Sequence, residues 1–156
     1  MIGIALFIIT TGCSATEKTY ASEANPSIAV EDLKLLMTED EVFEILGTDG
    51  EHAPCVYGYE YNYDEKGINV GFRNGKSTLR RITFRKGQGS IYGIALGDTI
   101  ESAKDKLKKA GLQSDDTSDF TFYVEDIYVS LLSKEGTDVD GITIEIINDA
   151  ILEEAF

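Results

Sequence analysis

Two segments of this chain carry the same pattern, an amphipathic helix followed by three runs typical of β-strands. The helical segments are LLMTEDEVFEILG at 35–47 and LGDTIESAKDKLKKAG at 96–111. When Thr38 is aligned with Thr99, apolar residues recur in both segments at the spacing of one helix face. The pattern therefore predicts a tandem duplication of one supersecondary unit, so that the fold packs two similar halves.

Capping signals mark where each helix should begin. Thr38 is followed three residues later by Glu41, and Asp98 is followed by Glu101, which is the spacing of a capping box. Both helical segments end at a glycine, which suits the left-handed backbone found at helix C-termini. We therefore expect one short helix near the start of each copy.

Three runs after each helix alternate apolar and polar residues, as strands with one buried face do. Asn74-Gly75, between two of the runs, is a strong signal for a hairpin turn. The runs are 55–63, 68–73 and 78–85 in the first copy, and 120–124, 127–132 and 141–147 in the second. This predicts an α+β fold of two tandem repeats, each with a helix followed by a three-stranded antiparallel sheet, and with the helices packed on one face.

The N-terminus has the pattern of an export signal. MIGIALFIITTGCSATEK is apolar to Ile9, then small and polar, with Gly12 directly before Cys13. A short apolar segment that ends in small residues is typical of a secretory signal. With its cysteine it resembles a bacterial lipoprotein signal, in which the chain is cut before the cysteine and that residue is lipidated. We therefore expect a lipid on Cys13 that anchors the protein to the extracytoplasmic face of the cell membrane.

Four regions follow from these patterns. Residues 1–13 are predicted to be the signal peptide, which ends at the lipidated cysteine. Residues 14–27, SATEKTYASEANPS, are small, polar and aperiodic, which indicates a flexible tether. The first repeat is expected over 28–87 and the second over 88–156, including a C-terminal tail.

Charge and motif content narrow the function. The 156 residues carry a formal net charge of −14, which argues against nucleic acid as a partner. The single histidine, His52, lies three residues from Cys55, and together they supply at most half of a zinc site. No serine has a nucleophile-elbow context, and no glycine run has dinucleotide spacing. We predict no catalytic residues, no metal and no cofactor, and we expect that the protein is not an enzyme.

Four tyrosines in CVYGYEYNY, at 55–63, fall on every second position and would line one face of a strand. Matching the strands of the two copies puts Tyr59 and Tyr61 in the place of two apolar phenylalanines, so we expect both to face the helices. Tyr57 and Tyr63, at the strand ends, are expected to be the most exposed. In the alternative, the tyrosines form a binding stripe on the opposite face.

The same alternation predicts which side chains lie on the uncovered face of the sheet. Cationic and aromatic groups on an exposed sheet suit the docking of a partner. In the alternative, this is a solvated face whose arginines offset the acidic surface around them. The residues predicted to contact a partner are Asn69, Arg73, Arg81, Arg85, Tyr123, Tyr128 and Leu132.

The first helical segment also matches a known sequence element, Gly-Met-Thr, two residues, Glu-Val, three residues, Leu-Gly. The matching residues are Met37, Thr38, Glu41, Val42, Leu46 and Gly47, with Leu36 in place of the leading glycine. In the second copy, Gly97, Thr99 and Leu107 match. Over about residues 33–148, the chain resembles the superfamily of small outer-membrane-assembly lipoproteins (BamE/SmpA-OmlA type) and the tandem-repeat β-lactamase inhibitory protein.

The resemblance implies that each repeat packs its helices on one side of an antiparallel sheet. It also implies binding to proteins or envelope components rather than catalysis. The inhibitor's paired cysteines are absent, so its disulfides do not carry over, and a β-lactamase target does not follow. We expect a lipid-anchored binding module of the bacterial envelope that engages a protein or envelope component through the exposed sheet face. The alternatives are a structural envelope-assembly factor with an obligate partner, and an enzyme.

Overall fold

The computed structural model of the protein describes residues 20–147. Residues 20–24 are helical, and two longer helices follow, α1 (Glu39–Leu46) and α2 (Ile100–Lys109). Within this range the strands are β1 (Ile28–Ala29), β2 (Glu51–Cys55), β3 (Gly58–Tyr63), β4 (Ile68–Arg73), β5 (Lys76–Phe84), β6 (Ser90–Ile91), β7 (Gln113–Asp115), β8 (Ser118–Val124), β9 (Ile127–Leu132) and β10 (Gly141–Ile146). The predicted signal peptide with Cys13, and the predicted C-terminal tail, lie outside the described residues.

The described residues form a mixed fold of three helices, one large antiparallel sheet and one small sheet. The large sheet has eight strands in the order β2-β3-β4-β5-β10-β9-β8-β7, and β1 pairs with β6 in the small one. Because β5 and β10 are neighbours at the centre, each half of the sequence supplies four adjacent strands. The prediction of two tandem repeats, each with a three-stranded antiparallel sheet, is therefore not confirmed, because the strands of both halves belong to one eight-stranded sheet.

Within the large sheet, the edge strands β2 and β7 are the ones that the alternation did not predict. β2 contains Pro54, which an edge strand tolerates because one side of its backbone has no partner strand. β7 consists of three polar residues, so no apolar pattern marks it. The predicted strand 55–63 is in fact the end of β2, a turn at Val56 and Tyr57, and β3.

The helix α1 begins with the predicted capping box. The Thr38 hydroxyl accepts a hydrogen bond from the Glu41 N–H, and the Glu41 carboxylate accepts one from the Thr38 N–H at 2.7 Å. The bond from the Thr38 N–H, and a second one from the Thr38 hydroxyl at 2.9 Å, stabilise the carboxylate and hold the pKa of Glu41 below its ordinary value. Replacing such a cap by alanine typically costs about 1 kcal/mol of stability.

The cap of α2 is one residue later than predicted. Thr99, not Asp98, accepts the hydrogen bond from the Ser102 N–H, at 3.2 Å. The Asp98 carboxylate instead accepts bonds from Lys106 Nζ at 2.7 Å and from the Ala95 N–H at 3.0 Å. These donors lower the pKa of Asp98, the Lys106 bond most of all. The carboxylate therefore connects the loop that precedes α2 to the middle of that helix.

Each helix is entered through a residue with positive φ whose N–H donates to the backbone of a residue later in the same half. Leu36 has φ +70° and donates from its N–H to the Leu79 carbonyl at 2.8 Å; Gly97 has φ +85° and donates to the Val139 carbonyl at 2.9 Å. In return, the Leu79 and Val139 N–H groups donate to the carbonyl of the next residue along each entry loop, at 2.7 and 2.9 Å. The two entry loops thus make the same pair of contacts.

One face of the large sheet packs on both helices. α1 buries Val42 and Leu46 in this core, and α2 buries three residues on one stripe, as their helical spacing predicts. The buried sheet residues fall on alternate positions of the central strands: Ile68, Val70, Phe72, Ile82, Phe84, Ile127, Val129, Leu131, Ile142, Ile144 and Ile146.

The tyrosines of β3 lie on the helix side of the sheet, as expected for Tyr59 and Tyr61. Both are half-buried against the core, and Tyr61 meets the Phe43 ring of α1 edge-on at 5.0 Å. Tyr57, in the β2–β3 turn, is 38% exposed. The expectation that Tyr63 is exposed is wrong: it is 5% exposed, and its hydroxyl donates to the Gly47 carbonyl at 2.8 Å. A polar partner at the end of α1 allows this phenol to be buried at the strand end.

The tether prediction is wrong for residues 20–27. This stretch is helical to residue 24, and a 3₁₀ turn, Asn25–Ser27, follows. Ala21 and Ala24 are buried in the core. The side chain of Asn25 binds both the N–H and the carbonyl of Leu35, at 2.8 and 3.2 Å. Two small alanines three positions apart are enough to pack one helical turn, although the segment reads as polar.

Candidate functional site

The face of the large sheet opposite the helices is left uncovered by the described residues. We call it the open face. It carries side chains in two rows that run across six strands, because cross-strand partners share a face. The polar row is Asn62, Asn69, Thr83, Thr143, Ser130 and Thr121, and the charged row is Glu60, Gly71, Arg81, Glu145, Tyr128 and Tyr123.

The polar row largely satisfies its own hydrogen bonds. Asn69 Nδ2 donates to Asn62 Oδ1 at 2.5 Å, and the Thr83 and Thr143 hydroxyls lie 2.8 Å apart across the junction of β5 and β10. At the far end the hydroxyls of Ser130 and its neighbour on β8 are 3.3 Å apart. This row is therefore a hydrogen-bonded polar surface that connects the two halves of the sheet.

The charged row contains an ion pair that spans a glycine on the strand between its two partners. Arg81 forms an ion pair with Glu60, which lies two strands away, and donates to Asn69 Oδ1 at 3.4 Å. Gly71 stands between the ion-paired residues on the intervening strand. A Cβ at this position would lie 3.2 Å from Arg81 Nε, so the absence of a side chain lets the guanidinium cross β4.

Glu145 is the second carboxylate in this row and lies opposite Arg81 on the neighbouring strand. Burial raises the pKa of Glu145 above its ordinary value, and the positive charges of Arg81 and Arg73 only partly oppose this effect. The carboxylate is therefore poorly solvated although two cations are close. Tyr128 and Tyr123 continue the row, with stacked rings 5.5 Å apart.

A pocket opens beside the middle of the charged row, where β4 and β5 lose their register. Gly71 pairs with Arg81 but Phe72 pairs with Leu79, so Arg80 is the extra residue of a β-bulge. We call this the arginine pocket; its volume is about 270 Å³. It is lined by Cys55, Val56, Tyr57, Gly71, Phe72, Arg73, Arg80, Arg81, Glu145 and Ile146.

A second, wider depression of about 430 Å³ occupies the centre of the open face. We call it the central depression. It shares Arg81 and Glu145 with the arginine pocket, so the two are adjacent. Its lining is Glu60, Asn62, Asn69, Arg81, Thr83, Arg85, Ser130, Leu132, Thr143 and Glu145.

The residues that the sequence predicted for this face fall into three groups. Asn69, Arg81, Arg85 and Leu132 line the central depression, and Arg73 lies in the arginine pocket. The tyrosine pair extends the row toward β8. Arg80 was missed, because strict alternation puts it on the core face. The signal was present: the buried apolar residues Leu79 and Ile82 are three positions apart, which breaks the alternation and indicates a bulge.

His52 lies on the helix side and is exposed, with its ring 5.5 and 5.2 Å from the rings of Tyr59 and Tyr61. Cys55 is a half-buried free thiol in the arginine pocket. Among residues 20–147, no group of three or more His, Cys, Asp or Glu side chains is placed to hold a metal ion. None of the helices in this range has the length and apolar character required to cross a membrane.

Comparison with known proteins gives the fold but no family. The chain matches no family model and no curated protein. It is similar in structure to an extracellular protein containing an SCP domain from Bacillus anthracis str. Ames, with a TM-score of 0.56 and 14% sequence identity. The match covers 76% of this chain and 45% of that chain, so it spans less than half of the neighbour.

Proposed function

We propose that the protein is a lipid-anchored binding module on the extracytoplasmic side of the bacterial envelope, and that it engages a protein or an envelope component through the open face. The observation that carries this proposal is the distribution of basic residues. The chain has four arginines among its 14 Lys and Arg residues, and all four line the arginine pocket or the central depression. Of the lysines whose side chains the structure describes, none lines either of them.

This segregation is typical of a recognition surface. Arginine and tyrosine are enriched in protein interfaces, whereas lysine is depleted, because the planar guanidinium is weakly hydrated and binds carboxylates through two parallel hydrogen bonds. On a solvated face whose cations only offset acidic surroundings, arginine and lysine would serve equally well. The stacked pair of Tyr123 and Tyr128 adds aromatic area to the same face.

The other parts of the proposal rest on separate supports. Gly12-Cys13 after an apolar run supports export and lipidation. The structural neighbour is itself an extracellular protein, which agrees with an extracytoplasmic setting. A structural assembly factor with an obligate partner is expected to expose a large apolar patch. The large exposed hydrophobic residues in the described range are Val56, Tyr57 and Val124.

We further propose that the two halves are tandem copies of one unit, as in the superfamily that the sequence resembles. Three observations support the duplication. The entry loops at Leu36 and Gly97 make matching hydrogen bonds, and a threonine, Thr38 or Thr99, caps each helix. Four strands also lie on each side of the β5–β10 junction. An alignment of relatives tests this: the halves should resemble each other more than shuffled sequences do. Unrelated halves across many relatives would contradict it.

Two variants with equal charge changes test the open face. Arg85→Glu lies in the central depression, and Lys108→Glu lies on the exposed side of α2, away from it. The full-length protein and both variants are used to capture partners from native membranes, and affinity is then measured with the purified partner. We expect Arg85→Glu to weaken binding about tenfold or more and Lys108→Glu to leave it unchanged. Equal effects of the two variants would refute use of the open face.

A further inference from the structure

We infer that the central depression binds a neutral oligosaccharide of the bacterial envelope, longer than a single sugar ring, whose hydroxyl groups accept hydrogen bonds from the Arg85 guanidinium and donate them to the Glu145 carboxylate. This inference rests on the proposed binding function of the open face. It narrows the envelope component of that proposal to one chemical class, a glycan without charge.

The charges that line the central depression cancel. The lining contains two arginines and two glutamates, whereas the chain as a whole has a formal net charge of −14. Arg81 and Glu60 form an ion pair, which accounts for one charge of each sign. Arg85 and Glu145 supply the other two charges, again one of each sign. Because a charged ligand is steered to a cleft in which one sign of charge predominates, this balance favours a neutral ligand.

The lining is dense in hydrogen-bonding groups and has little apolar surface. Nine of its ten residues are charged or polar, and Leu132 is the exception. Two carboxamides and three hydroxyls accompany the four charged groups. A protein partner typically anchors itself with an aromatic or aliphatic side chain in an apolar pocket, which this lining does not offer. A saccharide fits it better, because each sugar hydroxyl can donate and accept at once.

The bonds within the polar row leave capacity for a ligand. Asn69 Nδ2 uses one of its two N–H groups on Asn62 Oδ1, at 2.5 Å, and keeps the other. The Thr83 and Thr143 hydroxyls, 2.8 Å apart, share one hydrogen bond, so one of the two protons is not used between them. The row can therefore bind sugar hydroxyls without giving up the bonds that connect the two halves of the sheet.

Two groups at the depression have hydrogen-bonding capacity that the fold does not use. Arg81 is bonded to Glu60 and Asn69. Within residues 20–147, the side chains of Arg85 and Glu145 form neither a hydrogen bond nor an ion pair. A guanidinium has only donors and an ionised carboxylate has only acceptors. A ligand that satisfies both must accept at one end of the depression and donate at the other, as the hydroxyls of a saccharide do.

The separation of these two groups requires a long ligand. Arg85 follows Arg81 by four residues in extended chain, and Glu145 lies opposite Arg81 on β10, so the backbones of Arg85 and Glu145 are roughly 13 Å apart. A free amino acid also has a donor and an acceptor, but it is too short to reach both. The stem of Arg85 passes over Gly141, where a Cβ would lie 2.9 Å from Arg85 Cγ. The glycine therefore lets this arginine lie along the sheet, beside the depression.

A titration of the full-length protein with defined sugars tests this inference. The probes are the disaccharides cellobiose and diacetylchitobiose, the monosaccharide unit of each, and permethylated cellobiose, which keeps the sugar rings but has no hydroxyl donor. Binding is followed by NMR through the Arg85 Nε–H and the side-chain amides of Asn62 and Asn69. We expect saturable shifts at these groups with a disaccharide, binding about tenfold weaker or more with its monosaccharide, and no binding of permethylated cellobiose.

Two variants and a matched control separate recognition from stability. Arg85→Met removes the donors but keeps a long side chain, and Glu145→Gln replaces a charged acceptor by a neutral amide. Each should weaken the disaccharide about tenfold, because a hydrogen bond to a charged group is lost. Lys108→Met removes the same charge on the exposed side of α2 and should leave the affinity unchanged. Thermal melts confirm that each variant is folded.

Three outcomes would overturn the inference: no shifts at the depression with either disaccharide, equal binding of cellobiose and its permethylated form, or equal losses in Arg85→Met and Lys108→Met. If the sugars fail to bind while Arg85→Glu still loses a captured protein, the open face binds that protein and the central depression is not a glycan site. The two proposals therefore fail separately.

Discussion

Tyr61 on β3 donates a hydrogen bond from its phenol to Glu39 Oε1, at the first turn of α1, with an oxygen–oxygen distance of 2.5 Å. Tyr59 donates to the other oxygen of the same carboxylate at 3.1 Å. One carboxylate therefore joins two strand residues to the helix N-terminus, where its negative charge is also favoured by the helix dipole. This contact explains why two phenols can stand on a face that is otherwise apolar.

The phenol of Tyr61 should make stability fall at high pH. Its bond to Glu39 raises the pKa of Tyr61 from 10.0 to about 12, with burial as the next cause. Because the folded state favours the neutral phenol, this contribution is complete below the unfolded value of 10.0 and is lost as pH rises through about 12. Unfolding experiments from pH 9 to about 12 should show a steeper loss for the wild type than for Tyr61→Phe. Parallel curves would exclude this role for the bond.

Truncation of the half-buried tyrosines should be costly. Tyr59 stacks on Phe72 with ring centroids 5.4 Å apart, and Tyr61 packs on Phe43. We expect Tyr59→Ala and Tyr61→Ala each to lower the free energy of unfolding by about 2–4 kcal/mol, and Tyr57→Ala, at the exposed turn, by about 0.5 kcal/mol or less. Urea unfolding measures all three. Similar small losses at every position would contradict a packing role for Tyr59 and Tyr61.

Gly58 should tolerate no side chain. A Cβ at this residue would lie 2.0 Å from the Phe72 carbonyl oxygen, which belongs to the paired strand and cannot move alone. Gly58→Ala should therefore cost about 3 kcal/mol through overpacking. The matched control is Gly75→Ala in the β4–β5 turn, where φ is +70° and no heavy atom lies within 4 Å. It should cost only about 1 kcal/mol, the strain of a left-handed alanine. Thermal unfolding compares the two, and equal losses would contradict the close approach.

Lipidation at Cys13 predicts a change in location rather than in folding. Cys13→Ser removes the thiol to which lipid would be attached, so the protein should leave the membrane fraction and appear in the soluble extracytoplasmic fraction or the medium. Fractionation with immunodetection of the expressed chain measures this. A Cys55→Ser variant serves as the control, because Cys55 lies in the folded region on β2 and should not affect anchoring. Membrane retention of Cys13→Ser would contradict the lipoprotein prediction.

Alternation and capping predicted the parts of the fold in which local sequence decides the outcome. The apolar residues at alternate positions of β4, β9 and β10 are all buried, and α1 begins directly after Thr38 as its capping box requires. The helical spacing of Ile100, Ala103 and Leu107 likewise identified the buried stripe of α2. In these elements each residue's own polarity and the period of the backbone determine which side faces the core.

The errors occurred where a residue's place depends on a distant partner. Tyr63 is buried because the Gly47 carbonyl is within reach of its hydroxyl, and the sequence near Tyr63 does not show this. Residues 20–24 join the core because other elements leave room for two alanines. Asp98 binds Lys106 and leaves the cap to Thr99 because the entry loop and α2 approach each other.

The sequence by itself determined the order of α1, α2 and the six inner strands of the large sheet, the buried face of these strands and the side of the sheet on which most of its arginines lie, since these follow from a local period. Only the tertiary structure decided that β5 and β10 join two sets of four strands into one sheet, because pairing between distant strands has no local signal. The same pairing, with one extra residue at Arg80 and no side chain at Gly71, brings three arginines and Glu145 into one pocket. That convergence depends on register, and register is settled only when all the strands have packed.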